Sequence, residues 1–362
     1  MTKKTILLLL LIISISSCKK EENTPNNNNN NNNNNTSVVQ DKQNISNSFT
    51  SMEGCISTLK NGYGATATKN FLNLNEGEMY GEDWIDDMVD NIDDYLNLDA
   101  IDDNNKFDFT GNAGTYTWNP SLQDWTKQNN TNKIIIRFPS AEWEPSNNAT
   151  FTLHSYNDVP LFYDGETIFA PTNITADLYV SGTNVFDING SYSYDVGNAT
   201  PIPININTTL LFNPFTITIS GQRISPTNFQ ASISISNNNN CNTTLQANVR
   251  IAHSDYENLE ETDIVEINTT VTHQNLKIQG YMNGSLFDYD DPSNTQINAM
   301  TDVDMYYSNI KIGELILQLN SNNDDKVFMV YKDGTSEDLE IYYDPFITNV
   351  EQILFPFLGD WD

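Results

Sequence analysis

Apolar residues recur at helical spacing in three stretches of this chain. Just before Gly62 they follow one another at intervals of three and four, at Phe49, Met52, Ile56 and Leu59. This spacing predicts a short amphipathic helix with a glycine stop. A second helix is predicted for Glu82–Leu96, where one face is apolar and aspartates occupy the other. A third, C-terminal helix is predicted within Phe346–Leu358, ending at Phe355 because proline follows.

From Phe107 onward the period changes to two, which is the period of β-strands. Gly114–Asn119 alternates aromatic with polar residues, and Lys133–Phe138 is a strand candidate ended by Pro139. Hairpin turns are predicted at three dipeptides, Ser181-Gly182, Asn283-Gly284 and Asp333-Gly334. Most predicted strands follow one another without a helix-length crossover, so the sheet should be largely antiparallel.

These elements predict an α+β fold, mostly antiparallel β. We expect a large, curved, meandering sheet with two N-terminal helices and a short C-terminal helix packed on it. Residues 37–362 should form a single β-rich domain or two tightly joined subdomains.

The first residues have the layout of a secretion signal. Lys3 and Lys4 precede an apolar run, Thr5–Ile15, that is too short to span a bilayer. The motif Ile15-Ser16-Ser17-Cys18 then resembles a bacterial lipobox, which implies cleavage of residues 1–17 and acylation of Cys18, with palmitate among the acyl chains. Several acyl chains would give a stable membrane anchor.

Residues 18–36 predict a flexible tether. Lys19-Lys20-Glu21-Glu22 resembles the export signal of surface lipoproteins of Bacteroidota. This implies an outer-membrane protein facing the cell surface, with the periplasmic leaflet as the alternative. The ten asparagines that end at Asn35 have no apolar face to bury, so they cannot offset the entropy cost of ordering.

The body of the chain also resembles Bacteroidota lipoproteins for which no activity is established. The resemblance rests on the "GTYTWN" strand, the "IIIRFP" strand, the "PTNITADLYVSGTNV" hairpin and an N-terminal helix that carries a cysteine. It implies a sheet-rich lipoprotein but supplies no mechanism.

Charge excludes nucleic acid as a partner. Without Lys3 and Lys4 the chain has 15 basic and 48 acidic residues, a net charge of −33. Nucleic acid and anionic membrane surfaces would be repelled, so the membrane contact should be made through the lipid anchor.

Two cysteines remain after Cys18. A disulfide between Cys55 and Cys241 would close a long segment and stabilise the fold by ~4 kcal/mol in an oxidising compartment. Two separate buried thiols fit the sequence equally well, and neither cysteine lies beside a histidine.

Motifs for catalysis or metal binding are missing from the sequence, including H-E-x-x-H, G-x-S-x-G and phosphate-binding glycine loops. We predict no cofactor and no catalytic residue, although a calcium ion bound by carboxylates stays an alternative. Its candidate ligands are Asp288, Asp290 and Asp291, with a similar cluster at Asp99, Asp102 and Asp103. Acidic residues of turns explain both clusters equally simply.

Aromatic residues are the remaining candidates for ligand binding. They concentrate in one region, where we single out Tyr116, Trp118, Trp125 and Trp143. Such rings can stack on sugars or line a lipid pocket, and they can equally fill the core.

Three functions follow as hypotheses. The first is a non-catalytic envelope lipoprotein that binds a hydrophobic ligand or serves as a structural or binding module. The second is a surface lipoprotein that binds glycans or mediates adhesion. The third is a glycan-active enzyme that uses two carboxylates, although the sequence singles out no pair. We favour a binding protein because catalytic motifs are missing.

Overall fold

Most of the described chain is antiparallel β-sheet, as predicted. A computed structural model describes residues 37–64, 67, 106–122, 124–141, 144–163, 166–196, 202–237, 241–288, 292–319 and 325–344. Helices are few in these ranges: α1 (Val38–Lys60), α2 (Asn294–Met300), short 3-10 turns and helical residues at 63–64, 67 and 340–344. The predicted helices at Glu82–Leu96 and Phe346–Phe355 lie outside the described residues.

The chain divides into two compact units. The central unit is Thr58–Gln222, and the terminal unit is Met1–Ser57 with Arg223–Asp362. The strands that begin in the central unit are β1 (Gly114–Asn119), β2 (Asp124–Gln128), β3 (Ile134–Phe138), β4 (Ala149–Tyr163), β5 (Glu166–Val180), β6 (Thr183–Asp195), β7 (Ile202–Phe212) and β8 (Phe215–Ser225). The strands of the terminal unit are β9 (Asn228–Asn237), β10 (Asn242–Ile251), β11 (Ile264–His273), β12 (Leu276–Asn283), β13 (Thr301–Tyr307), β14 (Ile310–Leu319), β15 (Asp325–Tyr331) and β16 (Ser336–Asp338).

Strand order follows sequence order with one exception. In the central unit β1 lies between β2 and β3, and it pairs parallel to β3, with Gly114 opposite Ile134. The other described pairs within each unit are antiparallel and join strands that follow one another in sequence. Several of the connections, such as those from β5 to β6 and from β11 to β12, are short turns, which fits the frequent glycine and asparagine in the sequence.

Turn chemistry explains two of the three predicted hairpins. Ser181 and Gly182 both have positive φ, at 50° and 79°, and join β5 to β6. Gly334 has φ of 83° in the longer loop between β15 and β16. Positive φ is what these turns require, so both predictions are confirmed.

The predicted hairpin at Asn283-Gly284 is wrong. The chain enters a 3-10 turn, Gly284–Asp288, and then α2, so that β12 pairs with the later strand β13. Gly284 is needed for a different reason, because a Cβ at this position would overlap the backbone carbonyl of Ile264. The glycine therefore permits a close approach between chain segments, not a type I′ turn.

Side chains of the first strands of the central unit form its core. Buried aromatic and aliphatic side chains of β1 to β6 form one cluster, with Tyr116, Trp118, Trp125, Ile134, Ile136, Phe138, Ala149, Leu178, Val180 and Val185 as its buried members. Alternation along β3 places Ile134, Ile136 and Phe138 on the same side. Burial of this apolar face is what fixes the strand register.

Farther along β6, tyrosines cover the apolar side of the sheet. A side chain at Gly190 would meet the ring of Tyr192 and lie 2.7 Å from Cγ2 of Ile174. The Tyr192 hydroxyl is 3.0 Å from Oγ1 of Thr208 on the next strand, so its ring extends across Gly190. The Tyr194 hydroxyl likewise donates to the Pro171 carbonyl oxygen at 3.0 Å. Aromatic rings that lie over glycine in this way shield the backbone of the sheet at that point.

In the terminal unit, α1 supplies the apolar cover. Ser37 precedes the helix, and its hydroxyl accepts a hydrogen bond from the Gln40 amide at 3.3 Å. Ile45, Phe49 and Met52, which share one helix face, pack with buried residues of β12 to β15 such as Met305. The helix predicted from the apolar spacing of Phe49–Leu59 is therefore confirmed, and its apolar face packs against the sheet.

A half-buried carboxylate, that of Glu337, joins the start of α1 to the last hairpin. Glu337 accepts hydrogen bonds from Lys42 at 2.6 Å, from Tyr342 at 2.9 Å and from Tyr331. Burial alone would raise the pKa of Glu337, but these hydrogen bonds outweigh it and place the pKa below its ordinary value. Burial and the same carboxylate raise the pKa of Tyr342 to about 12.

A buried histidine makes the stability of this unit depend on pH. His273 is 1% exposed, with Nδ1 at 2.7 Å from Thr243 Oγ1 and Nε2 at 2.9 Å from Ser51 Oγ of α1. Burial lowers the pKa of His273, so the unfolded chain, with a His pKa of about 6.5, binds the proton more readily. The stabilisation is complete above that pH and is lost as pH falls below it.

We therefore expect the free energy of unfolding to fall on acidification from about pH 7.5 to about pH 5.5, near the His pKa. Denaturant unfolding of wild type and of His273→Gln at several pH values measures this. The variant should be less stable at neutral pH and should lose less stability on acidification. Equal slopes for the two proteins would exclude the buried imidazole as the source.

Candidate functional site

The aromatic candidates from the sequence lie in the core. Tyr116, Trp118 and Trp125 are 0%, 5% and 2% exposed. The two indoles are cross-strand partners, with ring centroids 5.5 Å apart, and the Tyr116 hydroxyl donates to the carbonyl oxygen of Asn112 at 2.7 Å. These three rings present no open face to a sugar, so packing, the alternative that the sequence left open, accounts for them. Trp143 lies outside the described residues.

Other candidates fall partly outside the described chain. Cys18, Asp290 and Asp291 are not described, nor are Asp99, Asp102 and Asp103. Asp288 ends a 3-10 turn, but its side chain is not described. In the described ranges, no three or more His, Cys, Asp or Glu side chains are grouped to hold a metal, and no helix is long and apolar enough to cross a membrane.

The two cysteines are bonded in the structure. The Cys55–Cys241 disulfide joins α1 to the residue before β10, with the Cα atoms 5.6 Å apart. That separation is ordinary for a disulfide. Cys241 is 2% exposed, so the bond belongs to the core of the terminal unit and has no catalytic setting.

Alternation gives β9 to β12 one apolar and one polar side. Register places Ile233, Leu245, Val271, Ile278 and Met305 in one row across β9 to β13. Ile278 and Met305 pack with α1, which identifies the apolar side. Residues that alternate with this row must point to the opposite side.

That opposite side forms a continuous polar surface. We call it the terminal polar face and define it by Gln230, Ser232, Ser234, Thr244, Gln246, Asn248, Asn268, Thr270, Thr272, Gln279 and Tyr281. Cross-strand pairing sets its rows, for example Ser232, Gln246, Thr270 and Gln279. None of its members is buried. Adjacent strands are about 4.8 Å apart, so the rows form a regular grid of amides and hydroxyls.

None of the side chains that define the terminal polar face is charged, although the protein has a net charge of −31 and Lys277 and Asp304 extend two of its rows. Charged side chains lie at its margins, where Arg250 pairs with Glu266 at 3.1 Å and Lys311 pairs with Asp304. Charge is therefore segregated on this side of the sheet. An uncharged hydrogen-bonding surface neither attracts nor repels ions and suits a neutral polar ligand.

The hydrogen-bonding groups of this face are available. In the described part of the chain, the side chains that define the terminal polar face make no hydrogen bond to other protein groups. Amides such as Gln246 and Asn268 offer both donors and acceptors, and hydroxyls such as Thr270 offer the same. Solvent or a ligand must satisfy them.

The central unit has a similar surface on β5 to β8. We call it the central polar face and define it by Asn173, Thr175, Asn189, Ser191, Asn207, Thr209, Thr218 and Ser220. Two register rows cross it, Thr175 to Thr218 and Asn173 to Ser220. Here some groups are already paired, since Asn173 accepts a hydrogen bond from Ser155 at 2.8 Å.

A charged row borders the central polar face. Lys133 Nζ lies 2.9 Å from His154 Nδ1, and His154 Nε2 lies 2.5 Å from an oxygen of Asp177. Asp187 is the cross-strand partner of Asp177 and accepts two hydrogen bonds from the Asn184 amide, at 3.0 and 2.9 Å. Like charges directly opposite each other destabilise a sheet, and these partners offset that repulsion. The row therefore has a structural explanation.

An open cleft lies beside the start of β1 and the end of β2. It has a volume of about 600 Å³ and is lined by Phe109, Thr110, Gly111, Ala113, Lys127, Asn129, Thr131 and Asn132. Lys127 Nζ donates to the Gly111 carbonyl oxygen at 3.2 Å and lies 5.1 Å from the centre of the Tyr116 ring. The lining is mostly polar, like the two sheet faces.

Comparison with known proteins gives no relative. No protein-family model matches the chain, and no curated protein or solved structure is significantly similar to it. Function is therefore inferred from the chemistry of the surfaces.

Sequence reasoning did not identify the polar faces. Their signal was present in stretches such as "FQASISIS" and "NTTLQANV", where every second residue is polar and uncharged. Alternation predicts that one side of a strand is exposed, but only the register shows that the exposed sides of several strands join.

Proposed function

We propose that this protein is a lipid-anchored, non-catalytic binding protein of a bacterial cell envelope, and that it holds neutral glycans on the polar faces of its sheet. The observation that carries the ligand class is the uncharged grid of free amides and hydroxyls on the terminal polar face. Sugar hydroxyls are donors and acceptors, as are these side chains, so each can satisfy the other.

Charge supports a neutral ligand over an acidic one. The chain without its signal carries −33, and such a field repels polyanions from the whole surface. A neutral polymer meets no such barrier. Its affinity would come from many weak contacts repeated along the grid.

The N-terminal features support the location. The lipobox-like Ile15–Cys18, the charged residues after it and the asparagine tract together fit a protein held by acylated Cys18 and raised above the membrane on a tether. We propose the outer face of the outer membrane as its location. A surface location gives a binding face access to polymers outside the cell, whereas the periplasmic leaflet would not.

A hydrophobic ligand, the first hypothesis from the sequence, needs an open apolar surface. In the described residues, α1 packs on the apolar side of β12 to β15, and Tyr192 and Tyr194 lie across that of β6. The apolar side of β9 is less covered, since Ile233 is 41% exposed. We therefore favour the glycan hypothesis. The curved sheet with helices at its opening stays a prediction.

Whole cells offer a test of anchor and binding together. Cells that produce the full chain should bind a fluorescently labelled neutral polysaccharide from a panel of glucans, mannans and galactans. Cys18→Ala should abolish binding at the cell surface because the anchor is lost, while the purified variant should still bind the same polysaccharide. Failure of both the cells and the purified protein to bind any member of the panel would contradict the proposal.

A further inference from the structure

Two tyrosines lie on the polar side of β12 and β13, and they differ in their surroundings. Both the ring and the hydroxyl of Tyr306 already have partners within the protein. Lys277 Nζ lies 4.4 Å from the centre of the Tyr306 ring, and the Tyr306 hydroxyl donates a hydrogen bond to Asp304 at 3.0 Å. In the described part of the chain, no aromatic ring stacks on Tyr281 and no cation lies over its ring face, while Arg250 interacts electrostatically with its hydroxyl. Tyr281 is therefore the ring that the terminal polar face offers to a ligand.

Planar amides surround Tyr281. Asn268 on β11 is its cross-strand partner, and Asn248 on β10 continues the same row. Gln279 precedes it by two residues on the same side of β12, next to Thr270. One aromatic ring therefore lies among amides whose donors and acceptors are unpaired within the described chain.

We propose that Tyr281, Asn268 and Gln279 form a subsite for one pyranose ring of a neutral glycan. This rests on the proposed function and names where the glycan binds. An aromatic face packs against the apolar face of a sugar ring, while the amides beside it hydrogen-bond to hydroxyls at the ring edge. A combination of one apolar platform with a few directed polar groups is the usual composition of a small-molecule site.

Charge at the margins restricts the ligand further. Asp302 is the β13 partner of Tyr281, and the Arg250–Glu266 pair lies one row away. A negatively charged sugar at Tyr281 would meet Asp302, while the nearby Arg250 is already paired with Glu266 at 3.1 Å. An uncharged pyranose avoids this cost.

The test compares two tyrosines that share one side of the sheet. Full-length protein, purified in detergent, is titrated with whichever neutral glucan, mannan or galactan the wild type binds. Tyr281→Ala should weaken binding by about fivefold to tenfold, which is the loss of one stacking contact. Tyr281→Phe should bind like wild type because the ring is retained. Tyr306→Ala, the matched control, should also bind like wild type.

Each outcome separates the subsite from the function. If wild type and Tyr281→Ala bind a neutral glycan equally well, the proposed subsite is wrong but the proposed function stands. Wild type that binds none of the panel would overturn both. Self-association that is lost in Tyr281→Ala, without glycan binding, would identify this face as an interface between copies. If Tyr281→Ala is unfolded by circular dichroism, Asn268→Ala and Gln279→Ala must each weaken binding for the subsite to stand.

Discussion

Replacement of Trp125 by alanine is expected to lower the free energy of unfolding by about 3–5 kcal/mol. The indole is 2% exposed and packs edge-on against Trp118, so its removal leaves a cavity inside the β1–β6 core. The loss of stability includes the hydrophobic free energy of burying the ring and the van der Waals contacts that its neighbours lose. Denaturant unfolding followed by far-ultraviolet circular dichroism measures the change without relying on tryptophan fluorescence.

The β1–β2 turn provides a matched control for Trp125. Leu122 is 68% exposed, so Leu122→Ala should change stability by less than about 0.5 kcal/mol. Trp125→Phe should fall between the two because a smaller ring fills part of the space. If Trp125→Ala instead keeps wild-type stability and loses ligand binding, the ring belongs to a binding site and the core assignment is wrong.

Loss of the Cys55–Cys241 disulfide is expected to cost about 2–5 kcal/mol. The bond joins residues separated by 186 positions, so it restricts a long segment of the unfolded chain. It also holds α1 close to the start of β10, near the helix face that carries Ile45, Phe49 and Met52. Unfolding of the double variant Cys55→Ser/Cys241→Ser, compared with oxidised wild type, measures this effect.

Reduction of the wild type provides the control for the double variant. Dithiothreitol should lower the stability of wild type to nearly that of the variant and should leave the variant unchanged. Thiol titration of the denatured, unreduced protein should find neither Cys55 nor Cys241 free. Two reactive thiols at these positions would contradict the bond.

Local sequence rules predicted the elements whose causes are local. The helix at Phe49–Leu59 followed from apolar spacing, and its apolar residues Phe49 and Met52 are buried as an amphipathic helix requires. The turns at Ser181-Gly182 and Asp333-Gly334 followed from the positive φ that glycine permits. In these cases the residues that carry the signal are also the residues that form the structure.

Prediction failed where the cause lies elsewhere in the chain. Asn283-Gly284 has the composition of a hairpin turn, but its glycine is required by the backbone of Ile264, nineteen residues before Asn283. The parallel pairing of β1 with β3 likewise depends on β2 folding back along the other edge of β1. Neither relation is encoded in a local pattern.

The polar faces were not predicted, for a related reason. Attention to aromatic residues pointed to Tyr116 and Trp118, which the fold buries. The polar grid consists of common residues, serine, threonine, asparagine and glutamine, each unremarkable by itself. Its character appears only when register brings β9 to β12 side by side and leaves their charged residues at the margins.

A titration of purified protein with neutral polysaccharides at two salt concentrations tests the central claim most directly. The Debye length falls from about 30 Å at 0.01 M salt to about 3 Å at 1 M, which removes long-range electrostatic attraction. If the uncharged polar face is the binding site, the dissociation constant for a neutral glycan should be the same at both salt concentrations. An acidic polysaccharide such as polygalacturonate should not bind. Binding only to the acidic polymer, or to no glycan at either concentration, would contradict the claim.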